Sequence, residues 1–241
     1  MSEGKSTTKD MTEGVIWKQI VLFALRLMFG NIFQMLYNTV DSIVVGKFVG
    51  TEALAAVAST TMIVNIAIFF FNGFAVGAGV VIGKAFGSKD QDLLHECIQT
   101  TMAATFVLCV LFTLVFSLST GAMLKLMSTP ADVMGDATTY LRFYFGGISG
   151  LLIYNIGSGI LRAVGDSKRP LYFLILTSLL NIVLDLVLVI VVPLGIAGVA
   201  IATIISQFVS AFLVLVLLVR TKDVYKVTLN DLHINMPILG N

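Results

Sequence analysis

Long apolar runs alternate with short polar punctuation along this chain. Six runs of membrane-crossing length cover about 15–46, 53–83, 94–120, 138–161, 170–192 and 195–220. A helix needs roughly 20 apolar residues to cross a hydrocarbon layer about 30 Å thick. The segments between them, "KFVGTE", "GKAFGSKDQD", "STPADVMGD", "RAVGDSKRP" and "VVPLG", carry the Gly, Pro and polar residues that end helices. The pattern predicts an all-α, polytopic membrane protein with six transmembrane helices over 15–220, a polar tail at 1–14 and a polar linker or tail at 221–241. The first run is too long for an upright helix. About 30 residues at 1.5 Å rise reach about 45 Å, so it must tilt, bend or project beyond the bilayer.

Composition agrees with this pattern. Hydrophobic residues make up 57% of the chain and charged ones 12%, with mean hydropathy +0.97, where a soluble domain carries about 25% charged residues. Lipid is therefore a partner along most of the length. Nucleic-acid binding is excluded as a reading, because no basic cluster is interleaved with aromatics. The net charge of +1 matters less than where the charges fall. Eleven of the 15 Lys and Arg, among them Lys18, Lys84, Arg162, Arg169 and Arg220, fall in segments on one side, against Lys47 and Lys125 on the other. The positive-inside bias then places both termini in the cytoplasm of a multi-pass protein of the cell membrane. "MSEGKSTTKDMTEG" lacks the apolar core of a removable signal peptide, so the first span is expected to act as its own insertion signal. Cys97 and Cys109 stand twelve residues apart, about 18 Å along a helix, too far for a disulfide, and read as packing residues. Gly73 and Gly77, Gly79 and Gly83, and Gly146 and Gly150 are spaced by four, which predicts closely packed helices. An echo between "KAFGSKD" at 84–90 and "RAVGDSK" at 162–168 reads either as an old internal duplication or as what two cytoplasmic turns both require.

Two acids lie at membrane depth. An ionisable group inside a span costs several kcal/mol unless it faces the bundle interior, so its default reading is functional. Asp185 lies fifteen residues after Pro170 in the fifth span, with Asn181 one turn earlier on the same face. Thr203 of the sixth span falls at about the same depth, counted from the opposite surface. On the first span Gln34 and Asn38, and Tyr37 and Asp41, are each four residues apart and form a polar stripe. Carboxylates, an amide and a hydroxyl are hard oxygen ligands for a small cation, and a carboxyl could equally hold a proton. No histidine lies in a span, since His95 and His233 fall in polar segments, and no organic cofactor or further metal is implied.

These residues carry a resemblance. "GNIFQMLYNTVDSIVVGKFVGTEALAAV" at 30–57, "ILRAVGDSKRPL" at 160–171, "NIVLDLVLV" at 181–189 and "GIAGVAIATIISQ" at 195–207 resemble, in this order, the amino-terminal lobe of multidrug and toxic compound extrusion (MATE) transporters of the MOP superfamily. The resemblance implies one six-helix lobe of a V-shaped secondary antiporter that exports cationic or amphipathic xenobiotics in exchange for Na+ or H+. It places the cation or proton site at Asp41, Asn181, Asp185 and Thr203, with Tyr140 and Asn155 as further contributors, beside the polar lining of Gln34, Tyr37 and Asn38. Family members have two lobes, so the implied partners are a small-molecule substrate and a second six-helix lobe or a homodimer partner. Arg26 stands where the family commonly has proline, a residue that bends this helix by freeing the carbonyl four residues earlier. Without proline the Leu22 carbonyl is not freed and a straighter helix is favoured, with Asn155 as a candidate partner for the guanidinium.

Three other readings compete. The superfamily also permits a lipid-linked sugar flippase, which a cavity lined by arginines would favour, and Arg26 is the one arginine the sequence places deep. A membrane fragment without activity is the plainest alternative. An intramembrane aspartyl protease would use two membrane acids, but Val40 precedes Asp41 and "AVGD" at 163–166 has Ala163 where such enzymes carry glycine.

Overall fold

A computed structural model describes residues 15–239. The tail expected at 1–14, with Lys5 and Lys9, lies outside the described residues. α1 runs from Ile16–Val44 and continues as a π-helical turn, Val45–Val49. α2 covers Thr51–Gly87, α3 Gln91–Leu126, α4 Met134–Gly146 and α5 Ile148–Ala163. α6 covers Lys168–Leu186 and is again followed by a π-helical turn, Val187–Val191, before α7 at Ile196–Arg220. Among the described residues there is no strand. Charges at the ends suit the helix dipole: Asp90 caps α3 by accepting from the Leu93 N–H at 3.0 Å, and Lys84, Lys125, Arg162 and Arg220 lie in last turns. Pro170 sits in the first turn of α6, where its missing N–H costs nothing.

Five of these helices are long and apolar enough to cross a membrane alone, and the sixth span is divided. The run expected as one helix over 138–161 is instead α4 and α5, bent by 46° at Gly147. A Cβ on Gly147 would lie 2.4 Å from Cγ1 of Ile204, so α7 passes this corner at a distance that only glycine permits. α1 is one helix through Leu22 and Arg26.

α5 is the hub, packed against α7, α2 and α3, while α6 packs against α7 and α1. Ile148, Leu152, Ile156 and Leu161 of α5 are fully buried with Val214 and Leu218 of α7. Phe71, Phe112, Phe116 and Phe145 form a ladder with successive centroids 5.0, 5.3 and 4.9 Å apart, stitching α2, α3 and α4 together. By contrast no described side chain of α1 before Val44 is buried. Close packing uses some of the spaced glycines and others besides; a Cβ on Gly83 would lie 3.7 Å from the Ala163 carbonyl oxygen. Gly73, Gly77 and Gly146 have nothing within 4 Å of a virtual Cβ, whereas Gly150 would meet the backbone of Gln207 and Phe208 at 3.0 Å and Gly198 the Leu188 carbonyl oxygen at 2.9 Å. Cys97 and Cys109 are both free and buried.

After α7 the chain turns back. The Val227 N–H donates to the Leu218 carbonyl at 2.9 Å, burying Tyr225 and Val227 completely. Arg169 Nη1 donates to the Tyr225 hydroxyl at 2.9 Å, which donates to Asp223 Oδ2 at 2.9 Å. Farther on, Asn235 binds Thr100 and Glu96, each at 3.2 Å, and Asp231 lies 3.5 Å from His95. Both histidines thus belong to this returning segment or to the surface it covers.

Two predictions follow from the packing. Gly198→Ala forces a methyl against a backbone carbonyl and is expected to lower stability by about 1–3 kcal/mol, whereas Gly73→Ala is neutral or gains up to about 1 kcal/mol of helix propensity; thermal unfolding in detergent measures both. Burial, ahead of the bonds with Asp223, holds the Tyr225 phenol above its ordinary pKa. The tyrosine therefore supports the returning segment fully below about pH 10, and this support is lost as pH rises beyond that. Hydrogen exchange at 221–239 should quicken in that range, and Tyr225→Phe should quicken it at neutral pH by removing bonds worth about 1–3 kcal/mol.

Candidate functional site

The polar stripe of α1 opens onto a cavity of about 480 Å³. Asn31, Gln34, Asn38 and Asp41 follow one another at three- and four-residue steps, so they line one side of it. α2 adds Asn65 and Asn72, two turns apart; α4 adds Tyr140 and Tyr144; α7 adds Thr203 and Gln207. Tyr154, Asn155 and Arg162 reach it from α5.

Asn181 is completely buried beside it, and hydrogen bonding fixes its amide orientation. Its nitrogen donates to Asp41 Oδ1 at 2.9 Å and to Asp185 Oδ2 at 3.2 Å, and its oxygen accepts from the Thr203 N–H at 3.3 Å. Both amide protons and the amide carbonyl are thereby committed. The Tyr37 hydroxyl donates to Thr203 Oγ1 at 3.3 Å, and that hydroxyl donates to the Val199 carbonyl at 3.0 Å. A continuous polar chain thus joins α1, α6 and α7. One group in it is unsatisfied: Asp185 is buried and its Oδ1 has no hydrogen-bond partner among the described residues.

Asp41, Asn181, Asp185, Thr203 and Tyr37 are therefore brought together from helices far apart in sequence. Tyr140 is buried against Tyr144, rings stacked with centroids 6.0 Å apart, within electrostatic reach of both acids. Asn155 lines the same cavity but makes no hydrogen bond with the acids among the described residues. Its side-chain nitrogen donates within its own helix, to the Leu151 carbonyl at 2.9 Å, because a span-depth amide without a partner satisfies itself locally. Nor does Asn155 bind Arg26, whose Nη1 donates instead to Ser167 Oγ at 3.3 Å. Gln34 and Asn38 line the cavity, exposed. The sequence reading missed Asn31, Asn65, Asn72, Tyr144, Gln207, Arg162 and Ser167. The seven-residue spacing of Asn65 and Asn72 and the continuation of the α1 stripe back to Asn31 were the available signals.

Each acid is followed within four residues by a π-helical turn, Val45–Val49 after Asp41 and Val187–Val191 after Asp185. Such turns widen the backbone and recur at functional sites. Two carboxylates bridged by one amide, Asp185 fully buried and Asp41 half-buried at the cavity wall, repel each other and lose solvation. A single cation or proton between them would remove one of the two negative charges and relieve that repulsion. No group of three or more His, Cys, Asp and Glu with metal-holding geometry exists among the described residues; the donors brought together here are hard oxygen ligands.

Comparison with known proteins identifies related chains. The MatE family model matches residues 27–187, about two thirds of the chain. The chain is 33% identical over 225 residues to the probable multidrug resistance protein YoeA of Bacillus subtilis, covering 92% of this chain and 48% of that one. It is 34% identical over 198 residues to the probable multidrug resistance protein YpnP of the same organism, covering 82% and 44%. A crystal structure of a MATE protein in the bent conformation superposes with TM-score 0.90 at 28% identity, covering 98% of this chain and 53% of that one. The chain spans about half the length of the curated relatives it matches.

Asn181→Leu removes the bridge while keeping the volume. It is expected to destabilise the fold by about 2–4 kcal/mol, since hydrogen bonds to charged groups contribute roughly 1.5–3 kcal/mol each and both the buried Asp185 and the half-buried Asp41 lose their donor. Thr203→Val, which keeps the backbone N–H, should cost under about 1.5 kcal/mol. A thermal melt of both variants checks the ranking.

Proposed function

The chain belongs to the MatE family, and on that premise we propose that its helices form the ion-binding lobe of a secondary antiporter. The lobe exchanges Na+ or H+ at Asp41 and Asp185 for outward movement of cationic or amphipathic compounds. The observation that carries the reading is the pair of carboxylates held by one buried amide, with Asp185 Oδ1 left without a donor. A buried acceptor in that position asks for a cation or a proton. The multidrug names of relatives 33% and 34% identical support the substrate class. No residue is assigned a nucleophilic or acid–base role, and the lobe acts by binding and release rather than by catalysis.

A second lobe, on the same polypeptide or on another copy, completes the transporter in this reading. Asn31, Gln34, Asn38, Asn65 and Asn72 expose amides on one face of α1 and α2 and make no side-chain hydrogen bond among the described residues. Lipid tails cannot satisfy such groups. A polar vestibule facing a second lobe can. The basic ends of the helices, by the positive-inside bias, lie on the cytoplasmic side of the cell membrane.

The ion site is testable on the chain itself, without transport. Sodium chloride compared with choline chloride should raise the melting temperature of the detergent-purified protein, saturably, with roughly 2.7 kcal/mol gained at a hundredfold excess over the dissociation constant. Competition by protons should weaken the sodium response at mildly acidic pH. Asp41→Asn and Asp185→Asn should each abolish it. A wild-type protein indifferent to both sodium and pH, or two variants that respond like the wild type, would sink the assignment.

A further inference from the structure

The same cavity carries a second, oppositely charged end. Arg26 of α1, Arg162 in the last turn of α5 and Ser167 at the start of α6 all line it. Arg26 stands fifteen residues, about 22 Å of helix, from Asp41. Its Nη1 donates to Ser167 Oγ at 3.3 Å, and Ser167 is itself buried. Among the described residues neither guanidinium has a carboxylate within 4.0 Å, the ion pairs being His95–Asp231 and Arg169–Asp166. The acid nearest in sequence is already committed. Asp166 Oδ1 accepts from the Lys168 and Arg169 N–H groups at 3.1 and 3.3 Å, and its Oδ2 faces Arg169 Nε at 3.4 Å.

Two guanidiniums in a cavity between membrane helices, without a counter-charge, form an incomplete electrostatic unit. Each presents a planar fork of donors that matches an oxyanion bidentately, and neither fork is taken by a carboxylate here. A neighbouring hydroxyl, already oriented by Arg26, adds a third donor or acceptor.

We propose that Arg26, Arg162 and Ser167 form an oxyanion-binding site that takes a phosphate group, carried by an anionic lipid headgroup or as free phosphate. The site stands independently of ion coupling at Asp41 and Asp185. It also gives Arg26 a purpose other than the loss of a bend.

The test uses the full chain in neutral detergent, read by melting temperature as a function of probe concentration. One arm adds potassium phosphate against potassium chloride at equal ionic strength. The other adds dioleoylphosphatidic acid against dioleoylglycerol, which lacks the phosphate. A saturable rise with phosphate supports the site with a soluble source, and a rise with phosphatidic acid alone supports it with a lipid source. Arg26→Gln and Arg162→Gln should each weaken the effective probe by roughly ten- to a hundredfold, the range for a charge-assisted hydrogen bond. Arg26→Lys, which keeps the charge but not the fork, should fall between. Lys168→Gln, an exposed neighbour, should leave the affinity unchanged. If Arg162→Gln fails to fold, Arg26→Gln and Ser167→Ala carry the comparison. No saturable response to either probe, an unchanged affinity in Arg26→Gln, or an equal loss in Lys168→Gln would overturn the proposal.

Discussion

One amide holds two acids together at the centre of this bundle, and α1 depends on it more than any other helix does. No described side chain of α1 before Val44 is buried, and its packing is chiefly against α6. Apolar burial therefore contributes little to its position, in a setting where lipid is as apolar as the helix surface. What remains specific are polar ties: Asn181 to Asp41, Tyr37 to Thr203, and Arg26 to Ser167. Each joins α1 to α6, α7 or the turn before α6. Under the proposed function, a cation or proton entering between Asp41 and Asp185 changes the charge of the strongest of these ties, and hence how firmly α1 is held.

The rest of the bundle is built to resist such changes. α5 is fully buried along one side and touches α7 where Gly147 and Gly150 leave no room for a side chain. The phenylalanine ladder fixes α2, α3 and α4 to one another, and the returning segment after α7 clamps the basic end through Tyr225 and Arg169. Close-packed interiors transmit strain and do not deform gradually. A loosely held helix against a rigid scaffold is the arrangement in which a local charge change becomes movement of one element.

Much of this was legible in the sequence because lipid imposes a simple code. Apolar runs of membrane length marked the helices, and acids inside them marked the cavity, since charge at that depth needs a reason. Asn181 and Asp185 one turn apart on one face, with Thr203 at matching depth, identify three members of the polar cluster from the sequence alone. Three features were hidden for physical reasons. The bend at Gly147 depends on how near Ile204 of α7 passes, which is a tertiary distance and leaves no local pattern. Glycine spacing identified potential approach sites, but which glycine is used depends on which face meets a partner, so Gly73 and Gly77 lie open. Asn155 carries the right chemistry at a plausible depth, yet its own helix offers the Leu151 carbonyl, and local satisfaction wins.

The charge pattern of the cavity raises the question of whether its arginines simply neutralise its acids. Distance decides it. Arg26 and Asp41 are about 22 Å apart along one helix, and at an effective dielectric of about 20 two unit charges so separated attract by only about 0.8 kcal/mol. A buried charge needs several kcal/mol of compensation. The two ends of the cavity therefore cannot serve as each other's counter-ions, however suggestive their opposite signs. Under the two proposals each end has its own partner, a cation or proton among the oxygens of Asp41 and Asp185, and an oxyanion at the guanidiniums of Arg26 and Arg162. Because the coupling across the cavity is weak, occupancy at one end changes affinity at the other by no more than about fourfold through direct Coulomb interaction, and any stronger linkage has to pass through movement of α1 itself.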